Sequence, residues 1–271
     1  MDPACLEHCL TEEERRRFNE QGYLIVENAL SGEEIQRLIP VVDRLYEAER
    51  ARNDEGPTFQ LNYLGFAGLD PAFYELVDWP RTFPKVWGLL GWNIYIYHSH
   101  CIVNPPLPSE IPQPSGSRWH QDSARLNIEM ETHPRPRISL KVAYFLTDVS
   151  EPGRGNFTSV PGSHLQGTLD LRTPIEGEDD PPGTMQVCVK PGTAVFFDRR
   201  LWHLAPARPN RSPYTRKVLF YGYAYRWLRP RDELTVTDEV LTASTPIRRQ
   251  LFGAAASNCS APRILDRGIS D

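Results

Sequence analysis

The sequence predicts a mixed fold, mainly β with α: an antiparallel jelly-roll, cupin-like core under an N-terminal helical layer. Three features carry this reading. Capped amphipathic helices come first, the periodicity then switches to two near Asn93, and short alternating runs follow, separated by Pro/Gly turns. With 271 residues, 40% hydrophobic and 24% charged, the chain has enough apolar material for one large domain. We read residues 1–271 as a single domain: a helical part over about 10–90, a core over about 92–228 and a tail over 229–271.

Taken in order, Thr11 is placed to cap a first helix, with Glu14 three residues on completing a capping box. Gly22 to Asn28 reads as a short strand, and Ser31 caps a second helix running to about Arg52, with Ile35, Leu38, Ile39, Val42 and Leu45 at helical spacing. A third helical region, around Pro71 to Leu90, is interrupted by Pro80 and Pro84. From Asn93 to Val103, alternation groups Ile94, Ile96, His98, His100 and Ile102 on one face. A proline-rich loop over 105–117 leads to His120, and a second irregular stretch over 123–137 follows Asp122. Further strands are expected over 138–149, 156–160, 185–190, 193–198 and 216–227, and the tail carries one helical turn near Arg248 to Phe252.

Composition narrows the partners. A net charge of -5 argues against nucleic acid or an anionic membrane surface. No apolar run is long enough to cross a bilayer, and the first residues do not form a signal-peptide core, so a cytoplasmic location is expected. The five cysteines are scattered and give no disulfide framework.

The chemistry centres on Trp119-His120-Gln121-Asp122. Two residues apart on a strand, His120 and Asp122 can offer an imidazole nitrogen and a carboxylate oxygen to one metal. His203, expected on the opposite wall, is a candidate third ligand. Two His and one carboxylate with open positions suit non-haem Fe(II). Arg216, at the start of the last strand, suits two-pronged capture of a carboxylate, as on a 2-oxo acid that chelates the metal. His98 and His100 share a face and suggest either a polar pocket lining or a second metal pair. Lys141 reads as a pocket contact or as a strand residue reaching the sheet end. His164 reads as structural, Asn210 and Ser212 as turn formers, and Arg199 and Arg200 as surface or tail-anchoring charges.

Together Trp119-His120-Gln121-Asp122, Gly155-Asn156, Pro161-Gly162-Ser163-His164, Trp202-His203 and Asn210-Arg211-Ser212 leading to Arg216 resemble the phytanoyl-CoA dioxygenase family, from about Leu10 to about Gly253. The resemblance implies a double-stranded β-helix and an Fe(II)- and 2-oxoglutarate-dependent dioxygenase that hydroxylates a small organic molecule with O2, releasing succinate and CO2. It implies His120, Asp122 and His203 as the catalytic iron ligands and Arg216 as the grip on the co-substrate's far carboxylate. It also places His100 and Tyr144 near the co-substrate. One departure is Ala205, where some members carry a hydroxyl two places after the distal His. Two other readings stand beside this: a non-catalytic jelly-roll binding or sensing protein, and a cupin-type metalloenzyme that does not use 2-oxoglutarate.

Overall fold

In the N-terminal layer, the Thr11 side chain accepts from the Glu14 N–H and the Glu14 carboxylate accepts from the Thr11 N–H, opening helix α1 (Glu12–Gln21) as expected. Ser31 and Glu34 repeat the device at the start of α2 (Gly32–Arg52). This is a computed structural model and describes residues 3–111, 118–130, 132–169, 180–205 and 208–254. The interrupted third helical region resolves into α3 (Pro71–Tyr74), a 3-10 turn and α4 (Phe83–Leu90), where Pro84 sits within the first turn and costs no hydrogen bond. Among the described residues three short helices complete the set: α5 (Ala124–Glu129), α6 (Asp238–Ala243) and α7 (Pro246–Leu251). The first of them lies in the stretch expected to be irregular.

The described residues form ten strands, in chain order β1 (Tyr23–Val26), β2 (Leu61–Leu64), β3 (Ile94–Asn104), β4 (Arg118–His120), β5 (Ser139–Phe145), β6 (Phe157–Ser159), β7 (Met185–Val187), β8 (Ala194–Asp198), β9 (His203–Ala205) and β10 (Arg216–Tyr225). They form a six-stranded sheet, ordered β1-β8-β5-β10-β3-β2, and a four-stranded sheet, ordered β4-β9-β6-β7. All pairings are antiparallel. Strand β2 was not foreseen, and β4 and β9 are too short to show alternation.

Alternation on the large sheet separates two cores. Leu140, Val142, Tyr144, Leu219, Tyr221 and Tyr223 pack outward with Leu38, Val42, Phe73 and Val86 of the helical layer. Ala143, Phe145, Val218, Phe220 and Phe197 turn inward and meet Phe157 and Val187 of the small sheet. The space between the sheets is therefore apolar at its closed end and polar where the site lies.

The simple alternation expected for β3 fails at Tyr97. Its pairing with β10 shifts between Gly222 and Tyr223, leaving Tyr97 as an extra residue between Ile96 and His98. Ile94 and Ile96 therefore belong to the outer core, while His98, His100 and Ile102 line the interior cavity. Gly222 permits the bulge, because a Cβ there would lie 2.9 Å from Tyr97 Cε1 and 3.0 Å from the His98 carbonyl.

Candidate active site

Strands β4 and β9 are neighbours, and His120 stands directly opposite His203 in their register. The expectation that His203 lies on the opposite wall is thus corrected. A cross-strand pair puts both imidazoles on one face of one sheet, with ring centroids 4.2 Å apart. Asp122 lies just beyond β4, in the turn before α5. Its Oδ1 is 3.9 Å from His120 Nε2 and 4.0 Å from His203 Nε2. The three donor atoms lie within 4.8 Å of one another, the one His/Cys/Asp/Glu group of this kind among the described residues.

The loop between β8 and β9 aligns these ligands. Three successive carbonyls accept hydrogen bonds: Arg199 O from the Asp122 N–H at 2.8 Å, Arg200 O from Gln121 Nε2 at 2.6 Å, and Leu201 O from His203 Nδ1 at 2.8 Å. The last bond leaves His203 Nε2 as the free lone pair facing Asp122. Arg199 and Arg200 are buried, contrary to the surface role expected of them. Arg199 Nη1 donates to Asn127 Oδ1 at 2.6 Å and Nη2 to Pro136 O at 3.1 Å, while Arg200 forms a two-pronged pair with the buried Asp198. A lone run of arginines reads as solvated; here Arg199 finds its acceptors in segments distant in sequence, and Arg200 finds a buried acid two residues back.

Burial pushes the Asp122 carboxyl towards higher pKa, but Lys141, with His203 and His120, outweighs it and holds the group well below the usual carboxylate range. Lys141 Nζ sits 3.0 Å from Asp122 Oδ1 and 2.9 Å from Oδ2. Of the two readings of Lys141, the pocket contact is the one observed. Burial first, then His120, pulls His203 down to about 3, so the ring is neutral at physiological pH and offers a lone pair.

A cavity of about 370 Å³ opens beside the triad. Its large-sheet wall carries His98, His100, Asn104, Lys141, Arg216 and Phe220; its small-sheet wall carries His120, His203 and Ala205; and Arg231 of the tail also lines it. Arg216 is 3% exposed, and Nη1 donates to Asn104 Oδ1, its register partner on β3, at 2.6 Å. Burial alone pulls this guanidinium down to about 10, and among the described residues no carboxylate pairs with it. Gly155, with φ +72°, makes room for its stem, since a Cβ there would stand 2.9 Å from Arg216 Cδ.

Tyr144 does not belong here. It lies on the outer face of β5, one residue out of phase with Lys141 and Ala143, and its hydroxyl bonds Thr82 Oγ1 at 2.6 Å within the helical layer. His100 does line the cavity, with Nδ1 3.1 Å from Asn62 Oδ1 and Nε2 buried without a partner. His98 is a polar lining residue, not half of a metal pair: Nδ1 donates to Asp232 Oδ2 at 2.6 Å, and the same oxygen accepts the Ser99 N–H at 2.9 Å. Asp232 and Arg231 sit in the tail and escaped the sequence reading, because no periodicity marks that segment. His164 and Asn210 are structural as expected. The His164 Nε2 lies 2.9 Å from the Asn19 carbonyl near the end of α1, and Asn210 Nδ2 donates to the Asn104 and Tyr214 carbonyls.

The donor chemistry fits a divalent metal with a 2-oxo diacid. Two imidazole nitrogens and a carboxylate converge, and a buried cation without an acid stands at the same cavity.

Comparison with known proteins agrees with this geometry. The family model described as phytanoyl-CoA dioxygenase (PhyH) matches residues 18–218. Ectoine dioxygenase from Bordetella parapertussis is 25% identical, over 88% of this chain and 86% of that protein. Among solved structures, HygX from Streptomyces hygroscopicus, crystallised with nickel and 2-oxoglutarate, superposes with a TM-score of 0.65 at 20% identity, over 86% of this chain and 94% of that one. SnoN, described as a non-haem α-ketoglutarate-dependent epimerase from nogalamycin biosynthesis, gives 0.57 at 20% identity, over 82% and 84%. Both support the jelly-roll fold. With a match across most of its length and the triad in place, the chain belongs to the phytanoyl-CoA dioxygenase family.

Proposed function

We propose that this protein is an Fe(II)- and 2-oxoglutarate-dependent dioxygenase that hydroxylates a small organic molecule, with His120, Asp122 and His203 holding the iron and Arg216 holding the co-substrate. The observation that carries the reading is the convergence of the triad beside a buried, acid-free guanidinium in one cavity. When bound, iron and 2-oxoglutarate supply the oxidising power to break a C–H bond with O2, releasing succinate and CO2.

The protein's own contribution is positioning. Leu201 O holds the His203 ring in the tautomer that leaves Nε2 free. Arg216 gives a 2-oxo diacid a two-pronged anchor at its far carboxylate, and Asn104 fixes the guanidinium plane. The unpartnered His100 Nε2 faces the same cavity and suits a co-substrate oxygen donor or an intervening water. Ala205 offers no hydroxyl, so polar contacts to the co-substrate fall to the β3 side chains. Phe157, Phe197 and Phe220 form the apolar floor that excludes water. His98, paired with Asp232, and Arg231 present polar groups to the same cavity. The sequence points to three loops, over 105–117, 123–137 and 169–183, as the segments that choose the substrate, and each lies partly outside the described residues.

We also read the chain as one domain working in the cytoplasm. Cys9, Cys101 and Cys188 are free thiols, which suits a reducing compartment, and no described helix is long and apolar enough to cross a membrane.

Anaerobic addition of Fe(II) and 2-oxoglutarate is expected to give a weak visible charge-transfer band in the wild type, absent in His203→Ala. Succinate release should depend on both additions. No band in the wild type, with no 2-oxoglutarate consumption, would overturn the assignment.

A further inference from the structure

The cavity carries more positive charge than the metal and the co-substrate account for. Among the described residues that line it, Lys141, Arg216 and Arg231 are cations and Asp122 is the one carboxylate, an excess of two positive charges in a chain whose net charge is -5. Loading does not remove that excess, because a divalent metal and a 2-oxo diacid bring equal and opposite charges. The two ends of the diacid are also already assigned, one to Arg216 and one to the metal, which leaves Arg231 to a different anion. The two arginines stand at opposite ends of β3. The Arg231 N–H donates to the Tyr97 carbonyl at 2.8 Å, whereas Arg216 is the register partner of Asn104. That separation is roughly 20 Å of strand, at about 3.3 Å per residue.

Arg231 is held in place although it lies in an irregular part of the tail. Besides its own bond to Tyr97, the next residue is fixed twice to β3: Asp232 Oδ2 accepts from His98 Nδ1 at 2.6 Å and from the Ser99 N–H at 2.9 Å. The His98 and Asp232 side chains are nearly sealed, at 1% and 4% exposure. The acid nearest to Arg231 in sequence is thereby committed to His98. Arg231 itself lines the cavity and is exposed to solvent, where an incoming anion meets it. A cleft lined by one sign of charge concentrates ligands of the other sign. We propose that the substrate is a small organic anion whose negative group is gripped by Arg231, with its body passing His98 towards the metal. This rests on the dioxygenase reading above and adds the charge class of the substrate.

The experiment loads the full-length protein anaerobically with Fe(II) and saturating 2-oxoglutarate. The charge-transfer band then shows throughout whether the co-substrate stays in place. Butyrate, butyramide and butylammonium, matched in length and different in charge, are titrated into this complex by calorimetry. Butyrate is expected to bind at least about tenfold more tightly than butyramide, the worth of a hydrogen bond between charged groups, and butylammonium more weakly than either. In Arg231→Gln the advantage of butyrate over butyramide should fall at least about fivefold, with butyramide binding and the band unchanged. Arg231→Glu should reverse the order of butyrate and butylammonium. Butyrate that binds no more tightly than butyramide, absence of binding included, would overturn the proposal. So would an advantage that survives intact in Arg231→Gln, since the anion would then sit elsewhere. Butyrate that binds only as the band disappears would overturn it as well, because the positive charge would then serve the diacid alone. The ranking of the three probes in wild type needs no variant, so a variant that fails to fold leaves the test standing. A wild type that gives no band before any probe is added would instead remove the dioxygenase reading, and this inference with it.

Discussion

Replacing Arg216 by methionine should move stability and co-substrate binding in opposite directions. The guanidinium is 3% exposed and burial pulls it from 12.5 down to about 10. A shift of that size penalises the charged folded state by about 3 kcal/mol. Against it stands one bond to Asn104 Oδ1, worth about 1.5 kcal/mol for a charged donor. Methionine removes both and fills similar volume, so the metal-free protein should gain about 1–2 kcal/mol. For a chain of this length that is a rise of about 2–6 °C in Tm. A 2-oxo diacid loses two charge-assisted bonds, about 3–6 kcal/mol, and so about two to four decades of affinity. Thermal melts with and without 2-oxoglutarate, at fixed Ni(II), read both effects in one series. A variant that melts below wild type without co-substrate, or whose 2-oxoglutarate affinity changes less than about tenfold, would refute the claim that Arg216 is an uncompensated charge awaiting a diacid.

Further expectations follow from the same geometry. Gly155→Ala places a methyl 2.9 Å from Arg216 Cδ at φ +72°, and should weaken 2-oxoglutarate binding severalfold in calorimetry while leaving Ni(II) affinity unchanged. Asn127→Ala takes an acceptor from the buried Arg199 and a donor from Gln121, and should cost about 2–4 kcal/mol in denaturant unfolding, with metal affinity falling too. The metal-free protein should lose stability on acidification. His203 is held at about 3 by burial, against 6.5 unfolded, so the unfolded chain binds a proton that the folded one refuses. That contribution is complete above about pH 6.5 and declines towards pH 3, at up to about 1.4 kcal/mol per pH unit. Burial shifts His98 and His100 the same way and adds to the slope, whereas the low-lying Asp122 adds its loss only below about pH 4. Melts that stay flat between pH 7 and pH 4.5 would contradict this.

The site was legible where chemistry is carried by side-chain identity and order. His120, Asp122, His203 and Arg216 stand out because few other roles need those types in that sequence, and the family pattern supplies the order. Placement in space was less legible. Tyr144 was placed near the co-substrate by the family resemblance, and burial gives no check on that placement, because every residue of β5 is buried on both faces. Lys141 held the missing information: a charge three residues away on the same strand must face the polar cavity, which turns Tyr144 the other way. On β3 the phase slips at Tyr97, and the only hint is Gly222 on another strand. Asp232 was hidden for a simpler reason. Its partner His98 lies 134 residues upstream, and nothing local in the tail calls for a buried acid.

The loop joining β8 to β9 accounts for several of these features at once. Short strands such as β4 and β9 have few ladder bonds of their own, so register alone would hold the two imidazoles loosely. The carbonyls of Arg199, Arg200 and Leu201 instead take one bond each from Asp122, Gln121 and His203, tying both ligand-bearing segments to one stretch of backbone. That stretch must itself be stiff. Asp198, kept ionised by Arg200 and Arg137 despite its burial, provides the stiffness, and Arg199 locks α5 over the top through Asn127. Burying arginines is justified here because each guanidinium spans segments that no hydrophobic residue could hold in a fixed orientation. The arrangement places the ligand geometry in the backbone of one loop. It leaves the opposite wall, with Lys141, His98, His100 and Arg216, free to vary the chemistry of what is bound without disturbing the triad.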